Sequence, residues 1–199
     1  MALKFQFNKT ALAQLKKELK VRVRALPTLK AKETALRLEV KKAKTELADA
    51  LKLFQESSDA INKYGKLWEE FPKDILQVKD VQKTYKKIAG VRIPSLGSVE
   101  FVLTLDSFFG MSAWTALGVK HLKESAKLAI EIEVAKERLS ILEYARKKTT
   151  QKVNLYEKVQ IPEYNEGILK IKRFMEDQEN LEKSAQKILK DKLTQQEAA

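Results

Sequence analysis

The chain contains no cysteine, one histidine, six glycines and four prolines in 199 residues. Without cysteine there is no disulfide framework, no thiolate nucleophile and no cysteine-ligated zinc, and His121 alone cannot build a histidine-rich metal site. Carboxylate-only metal sites stay open. So little glycine and proline leaves few places for tight turns, which favours helix. Long apolar runs are also missing. The most apolar stretch, Val99 to Val119, is interrupted by Glu100 and Asp106, and Ser107 to Val119 falls short of the roughly 20 residues a membrane span needs. Met1 to Phe7 offers no apolar segment of the secretory kind before the charged run at Lys16, so a cytoplasmic protein without membrane insertion is expected.

Charge is abundant: 39 Lys and Arg against 27 Asp and Glu, a net +12, beside 44% apolar residues, enough for a core in a single domain. Alternating steps of three and four from Leu12 give Leu12, Leu15, Leu19, Arg22, Leu26, Leu29, Glu33, Leu36, Val40, Ala43, Leu47, Ala50, Phe54, Ser57, Ile61, Tyr64, Trp68, Phe71, Ile75 and Val78. Only Arg22, Glu33 and Ser57 are not apolar, where about nine apolar positions would arise by chance from this composition, so the spacing predicts a coiled-coil seam. Thr10 is a suitable N-cap. Pro27 and Pro72 interrupt the run, and a kink or short break is expected at each.

A second stripe holds Leu128, Ile132, Ala135, Leu139, Leu142, Arg146, Thr149, Val153 and Tyr156. It resumes, displaced by one residue, as Tyr164, Ile168, Ile171, Met175, Gln178, Glu182, Ala185 and Leu189. Pro162 sits at the displacement, where local unwinding lets the seam re-register. The expected fold is all-α dominated: a long antiparallel two-helix coiled coil with arms 10–78 and 122–192, forming a single elongated domain over 1–199. Nearly equal arms, each roughly 100 Å at about 1.5 Å per residue, suit a hairpin of helices. The middle segment, 79–121, differs. Turn residues and alternating apolar positions predict a small β-hairpin over about 91–105, turning near Pro94 to Ser98. Phe108, Phe109, Met111 and Trp114 follow, either as a small core beneath the hairpin or as a docking surface.

Catalytic signatures are missing. Gly65-Lys66 has Ala60 where a phosphate-binding loop needs glycine, and no GxGxxG occurs. His121 reads as a solvated or capping residue, and Glu69/Glu70 and Glu131/Glu133 lie on lysine-rich helical faces. No enzyme and no cofactor are expected. Basic charge is concentrated early, with +8 over residues 1–50 against +1 over 148–199. Such an arm suits nucleic acid or acidic protein partners, and a basic RNA-gripping arm or a coiled-coil tether are the alternative functions. An RNA-gripping arm would need its basic residues at the tip, where this chain does not concentrate them.

The segment Lys152-Val-Asn-Leu-Tyr-Glu-Lys-Val-Gln-Ile-Pro162 resembles the late R-V-N-x-x-E-x-V-x-I-P pattern of the D subunit of V-type (vacuolar/archaeal-type) rotary ATPases. Val153, Asn154, Glu157, Val159, Ile161 and Pro162 match, and Lys152 stands for the arginine. Leu29, Lys30, Lys32 and Leu36 fit the family's L-K-x-K-R-D-x-L, while Glu33 and Thr34 depart from it. Phe7-Asn-Lys-Thr-Ala-Leu-Ala-Gln-Leu-Lys-Lys resembles the opening of bacterial members. The resemblance implies a non-catalytic central-stalk axle that couples ATP hydrolysis or synthesis to rotation and ion transport. Its implied partners are the A and B subunits of the hexamer, the F subunit and a membrane-coupling funnel protein (C/d), with the chain peripheral to the membrane and no nucleic acid bound. On that reading Lys30, Lys32, Arg37 and Lys41 are expected to face acidic groups in the hexamer bore. Val91, Ile93, Val99, Phe101, Leu103 and Leu105 of the hairpin are expected to serve docking to F or stimulation of the hexamer.

Overall fold

The computed structural model describes residues 6–69, 71–72, 75–104 and 109–197, with side chains as far as 194. In chain order the elements are α1 (Lys9–Asn62), α2 (Gly65–Glu69), β1 (Leu76–Ile88), β2 (Val91–Leu103), α3 (Trp114–Asn154), a π-turn (Leu155–Gln160) and α4 (Ile161–Glu197). The fold is helix-dominated with a two-stranded antiparallel hairpin in the middle, as the sequence pattern predicts. Among the described residues no helix is long and apolar enough to cross a membrane.

Contacts divide the chain into two compact units, one combining the start of the chain through Ala31 with Thr149 onward, the other spanning Lys32–Lys148. In the first unit, Leu15, Tyr164, Ile168 and Ile171 form a buried cluster with Ala11, Leu12, Leu19 and Met175 packed against it. Lys30 meets Glu157 whereas Glu18 meets Tyr164, so rising numbers on α1 face falling numbers across the seam and the helices are antiparallel. In the second unit, Leu36, Val40, Ala43, Ile93 and Leu142 make the core, with Ile88, Val91, Leu139 and Ala145 around it. Completely burying Leu36 and Leu142 is worth about 1.5–3 kcal/mol each. Here too the helices oppose each other, Lys44 pairing with Glu143 and Glu46 with Arg138.

Every seam position from Leu12 to Ile61 is buried or half-buried, including the polar Arg22, Glu33 and Ser57. Beyond Ile61 the periodicity no longer marks a helix: the first arm ends at Asn62 instead of near 78. The chain turns at Lys63–Tyr64, where the Ile61 carbonyl accepts from the Tyr64 N–H at 3.0 Å and, as a second donor, from the Trp68 indole N–H at 3.1 Å. Tyr64, Trp68 and Phe71 gather instead around Trp114, with Trp68 and Trp114 edge-on at 4.7 Å. Trp114 therefore belongs to a small aromatic core, whereas Phe109 is 98% exposed and Phe108 lies outside the described residues. The second arm starts earlier than expected, at Trp114.

Two local expectations change. The cap of α1 is Asn8, whose Oδ1 accepts from the Ala11 N–H at 2.7 Å, and not Thr10, which already lies inside the helix. The helix also continues through Pro27. Pro72, by contrast, falls after α2 has ended.

The hairpin occupies Leu76–Leu103, so the segment expected to hold both strands and their turn, about 91–105, is a single strand as far as Leu103. Its turn is Ala89–Gly90, where Ile88 pairs with Val91 and both turn residues have positive φ, +48° and +78°. Two residues of positive φ match the right-handed twist of the flanking strands. Gly97 and Ser98, which the sequence pattern places in the turn, oppose the single Gln82 as a β-bulge. A Cβ on Gly97 would come within 2.8 Å of the Gln82 carbonyl oxygen, which explains the glycine. Leu105 lies outside the described residues.

Candidate functional site

In the first unit the apolar stripe is displaced by one residue between Tyr156 and Tyr164, and the helix there contains a π-turn, Leu155–Gln160. The Ile161 N–H donates to the Tyr156 carbonyl, five residues back. One extra residue per turn rotates everything downstream by about 100°. That rotation returns Tyr164, Ile168 and Ile171 to the seam already holding Thr149 and Val153. Pro162 follows at once. It has no N–H to give, and its ring crowds the carbonyl four residues earlier in an ordinary α-helix, so the helix opens where the proline requires it.

Lys30 and Glu157, 127 residues apart and each in one of the two motif segments, meet at 2.6 Å. Val153 is buried, Ile161 half-buried, and Asn154 stands exposed at the entrance of the turn with helical φ and ψ and no side-chain capping bond. Val159 and Pro162 are exposed, and Lys152 lies 5.9 Å from the centre of the Tyr156 ring. Beside the turn, Arg22 donates from Nε to the Gln160 Oε1 at 2.8 Å and from Nη1 to the Glu18 carbonyl at 3.2 Å. Its guanidinium lies 4.4 Å above the Tyr164 ring, and the Tyr164 hydroxyl donates to the Glu18 carboxylate at 2.6 Å. That hydrogen bond, helped by Gln14 and Arg22 and opposed by partial burial, holds the Glu18 carboxyl below its usual 4.5. Burial first, and then the carboxylate, push the Tyr164 hydroxyl above 10.0. Glu18 and Gln160 escaped the sequence reading; the only signal for them was an arginine at a seam position.

In the second unit the hairpin is fastened to the helices. Ile93 is in the core and Val91 packs against it, so these two expected docking residues face inward, while Val99, Phe101 and Leu103 are half-buried. Lys83 on β1 pairs with Glu137 on α3 at 2.7 Å, an exposed pair that raises the pKa of the Lys83 ammonium. On the outward side Arg92 stacks 4.3 Å above Tyr85, an aromatic–basic patch the sequence reading missed. Of the four basic residues expected to act together, Lys30 is in its ion pair, Lys32 is half-buried with its ammonium near Gly90, and Arg37 and Lys41 are exposed.

Also in this unit, an apolar cavity of about 450 Å³ is lined by Trp68, Phe71, Pro72, Ile75, Leu122 and Ala126. Gly118 lies against this aromatic core, and a Cβ there would come within 2.7 Å of the Phe71 ring. His121 sits inside α3, 3.8 Å from Glu124. Among the described residues no group of three or more His, Asp or Glu is placed to hold a metal ion.

Antiparallel helices, an attached hairpin and surfaces built from packing and ion pairs define a coiled-coil interaction protein. The sequence model of the family described as the D subunit of ATP synthase matches residues 11–191. The V-type ATP synthase D subunit of Borreliella burgdorferi is 32% identical over 195 residues, covering 96% of this chain and 95% of that protein. Those of Chlamydia abortus and Chlamydia muridarum are 28% and 26% identical, covering 85% and 98% of this chain and 84% and 98% of their own lengths. The chain belongs to the ATP synthase D-subunit family, a central-stalk component of rotary ATPases.

Proposed function

We propose that this chain is the rotor axle of a V-type ATPase/ATP synthase, coupling nucleotide turnover in a hexamer of A and B subunits to ion translocation. Supporting this reading above all is the meeting of its two motif segments, through Lys30 and Glu157, on paired antiparallel helices. An axle performs no bond chemistry. It presents different side chains to each surrounding subunit at each angle, and such differential contacts shift nucleotide sites between open and closed states.

Within this reading, α4 beyond Met175 belongs in the bore: Leu181, Ile188, Leu189 and Leu193 are each more than half exposed, an apolar stripe suited to a close-fitting collar. Exposed Arg37 and Lys41 face acidic groups of A or B, and Lys30 and Lys32 contribute through their intramolecular contacts. The Tyr85–Arg92 face of the hairpin serves the F subunit or stimulation of the hexamer. The apolar cavity beside Trp68 and Phe71 receives the funnel protein, which holds the chain peripheral to the membrane on its cytoplasmic side. RNA gripping and tethering find no support in the family relationship.

The test is purification of the tagged chain from its native cells, with mass spectrometry of the co-purifying proteins and an ATPase assay. Recovery of A, B and F with active ATPase is expected; recovery of nucleic acid or of unrelated proteins overturns the reading. Reversing the charges of Arg37 and Lys41 is expected to lower ATPase activity of the reconstituted complex several-fold.

A further inference from the structure

Arg22 occupies a seam position between Leu19 and Leu26, and its contacts converge on one place. Nε holds Gln160, the last residue of the π-turn, at 2.8 Å; the guanidinium covers Tyr164, the first buried seam residue after it, at 4.4 Å; Nη1 is anchored to Glu18 on its own helix, at 3.2 Å to the carbonyl and 3.3 Å to the carboxylate. Glu18 in turn accepts from the Tyr164 hydroxyl at 2.6 Å, which closes the ring of contacts.

A π-turn is a point at which a helix can change register without breaking, because it carries one residue more than the α-helical turns that flank it. Twist applied to α4 is relieved there first. Closing the turn without removing a residue would rotate α4 by about 100° and shift it by about 1.5 Å, carrying Tyr164, Ile168 and Ile171 off the seam. Moving the turn along the helix would carry Gln160 away from Arg22. In any other register Arg22 keeps its Glu18 contacts but loses the Nε partner and the ring beneath it, so a polar group at a seam position favours one register among several apolar alternatives.

We propose that Arg22, with Glu18, Gln160 and Tyr164, is a register latch that holds the π-turn at Leu155–Gln160 and carries torque from α4 to α1. The inference rests on the axle reading for its consequence but not for its geometry. Arg22 is a positioning residue: it touches neither nucleotide nor ion, and it acts by preventing the turn from closing or migrating under load.

Two measurements on Arg22→Leu test this. Leucine fits the seam, so the full-length chain is expected to fold and to melt no lower than the parent. Its backbone amides from Tyr156 to Ile161 are expected to exchange with deuterium at least tenfold faster, while those around Leu36 stay unchanged. In the reconstituted, membrane-embedded complex, ATP hydrolysis is expected to remain within twofold of the parent while ions moved per ATP fall at least threefold. The swap Arg22→Gln with Gln160→Arg restores the donor–acceptor pair and is expected to recover both protection and coupling. Unchanged exchange in Arg22→Leu overturns the latch, as does full coupling in that variant. If Arg22→Leu fails to fold, protection at Tyr156–Ile161 in the swapped variant decides in its place: protection equal to the parent supports the latch, and its loss overturns it. A parent chain that supports no ATP-driven transport overturns the axle reading alone, because the exchange measurement on the free chain still judges the latch.

Discussion

At the scale of single residues, several positions carry more of the design than their type suggests. Ala89 has φ +48° in the hairpin turn, a conformation that crowds its Cβ against the backbone and that asparagine tolerates better. Ala89→Asn is expected to raise stability by about 0.5–1 kcal/mol, read as a higher midpoint in urea. The Ala-Gly pair also explains why the sequence pattern points to a turn at Pro94–Ser98 instead. Ala-Gly is a weak turn signal and Pro-Ser-Leu-Gly-Ser a strong one, yet Pro94 is a buried strand residue paired with Tyr85.

The Glu18–Tyr164 contact predicts a pH dependence whose sign follows from the two shifts. Glu18 is held below 4.5, so its contribution to stability is present above that value and lost as pH falls through the lowered pKa. Tyr164 is raised above 10.0, so its contribution is present below that value and lost as pH rises through the raised pKa. Tyr164→Phe removes the second contribution and the largest part of the first, leaving Glu18 its contacts with Gln14 and Arg22. Thermal melting measured from pH 3 to 11 is expected to show shallower slopes at each extreme in the variant, and slopes as steep as the parent's would contradict this assignment.

At the scale of elements, the π-turn is a one-residue insertion that the sequence revealed as a displaced stripe. The structure adds how the insertion is accommodated. With Pro162→Ala removing the crowding ring, deletion of Lys158 is expected to convert Leu155–Gln160 to ordinary α-helix while Tyr164, Ile168 and Ile171 keep their side of the seam. Helical ellipticity is then preserved and the urea midpoint stays near the parent's. Deleting Lys136 from α3 instead rotates Leu139 and Leu142 off the seam by about 100° and is expected to abolish cooperative unfolding. The seam of α1 was legible as far as Ile61 because three-four spacing reports burial directly. It misled afterwards because Tyr64, Trp68 and Phe71 continue the spacing by coincidence while packing as an aromatic cluster.

At the scale of the whole molecule, a net charge of +12 makes association with an acidic partner surface faster at low salt. The association rate with the A/B hexamer is expected to fall several-fold when ionic strength rises from about 0.05 to about 0.5 M, since the screening length shrinks to a few ångströms. If the exposed Leu181, Ile188 and Leu189 make the apolar contacts proposed for them in the bore, dissociation is expected to change much less.

The sequence by itself determined the helical class, the antiparallel pairing of two arms, the polar exceptions in the seam, the slip before Pro162 and, through two short motifs, the family. Each of these is written in local spacing or in residues adjacent along the chain. Tertiary structure decided that Lys30 meets Glu157, that Arg22 grips Gln160, that Val91 and Ile93 turn inward, and that Trp68 closes the end of α1. Those contacts join residues far apart in the chain or depend on which of two turn signals prevails, and only the packed molecule sets their relative free energies.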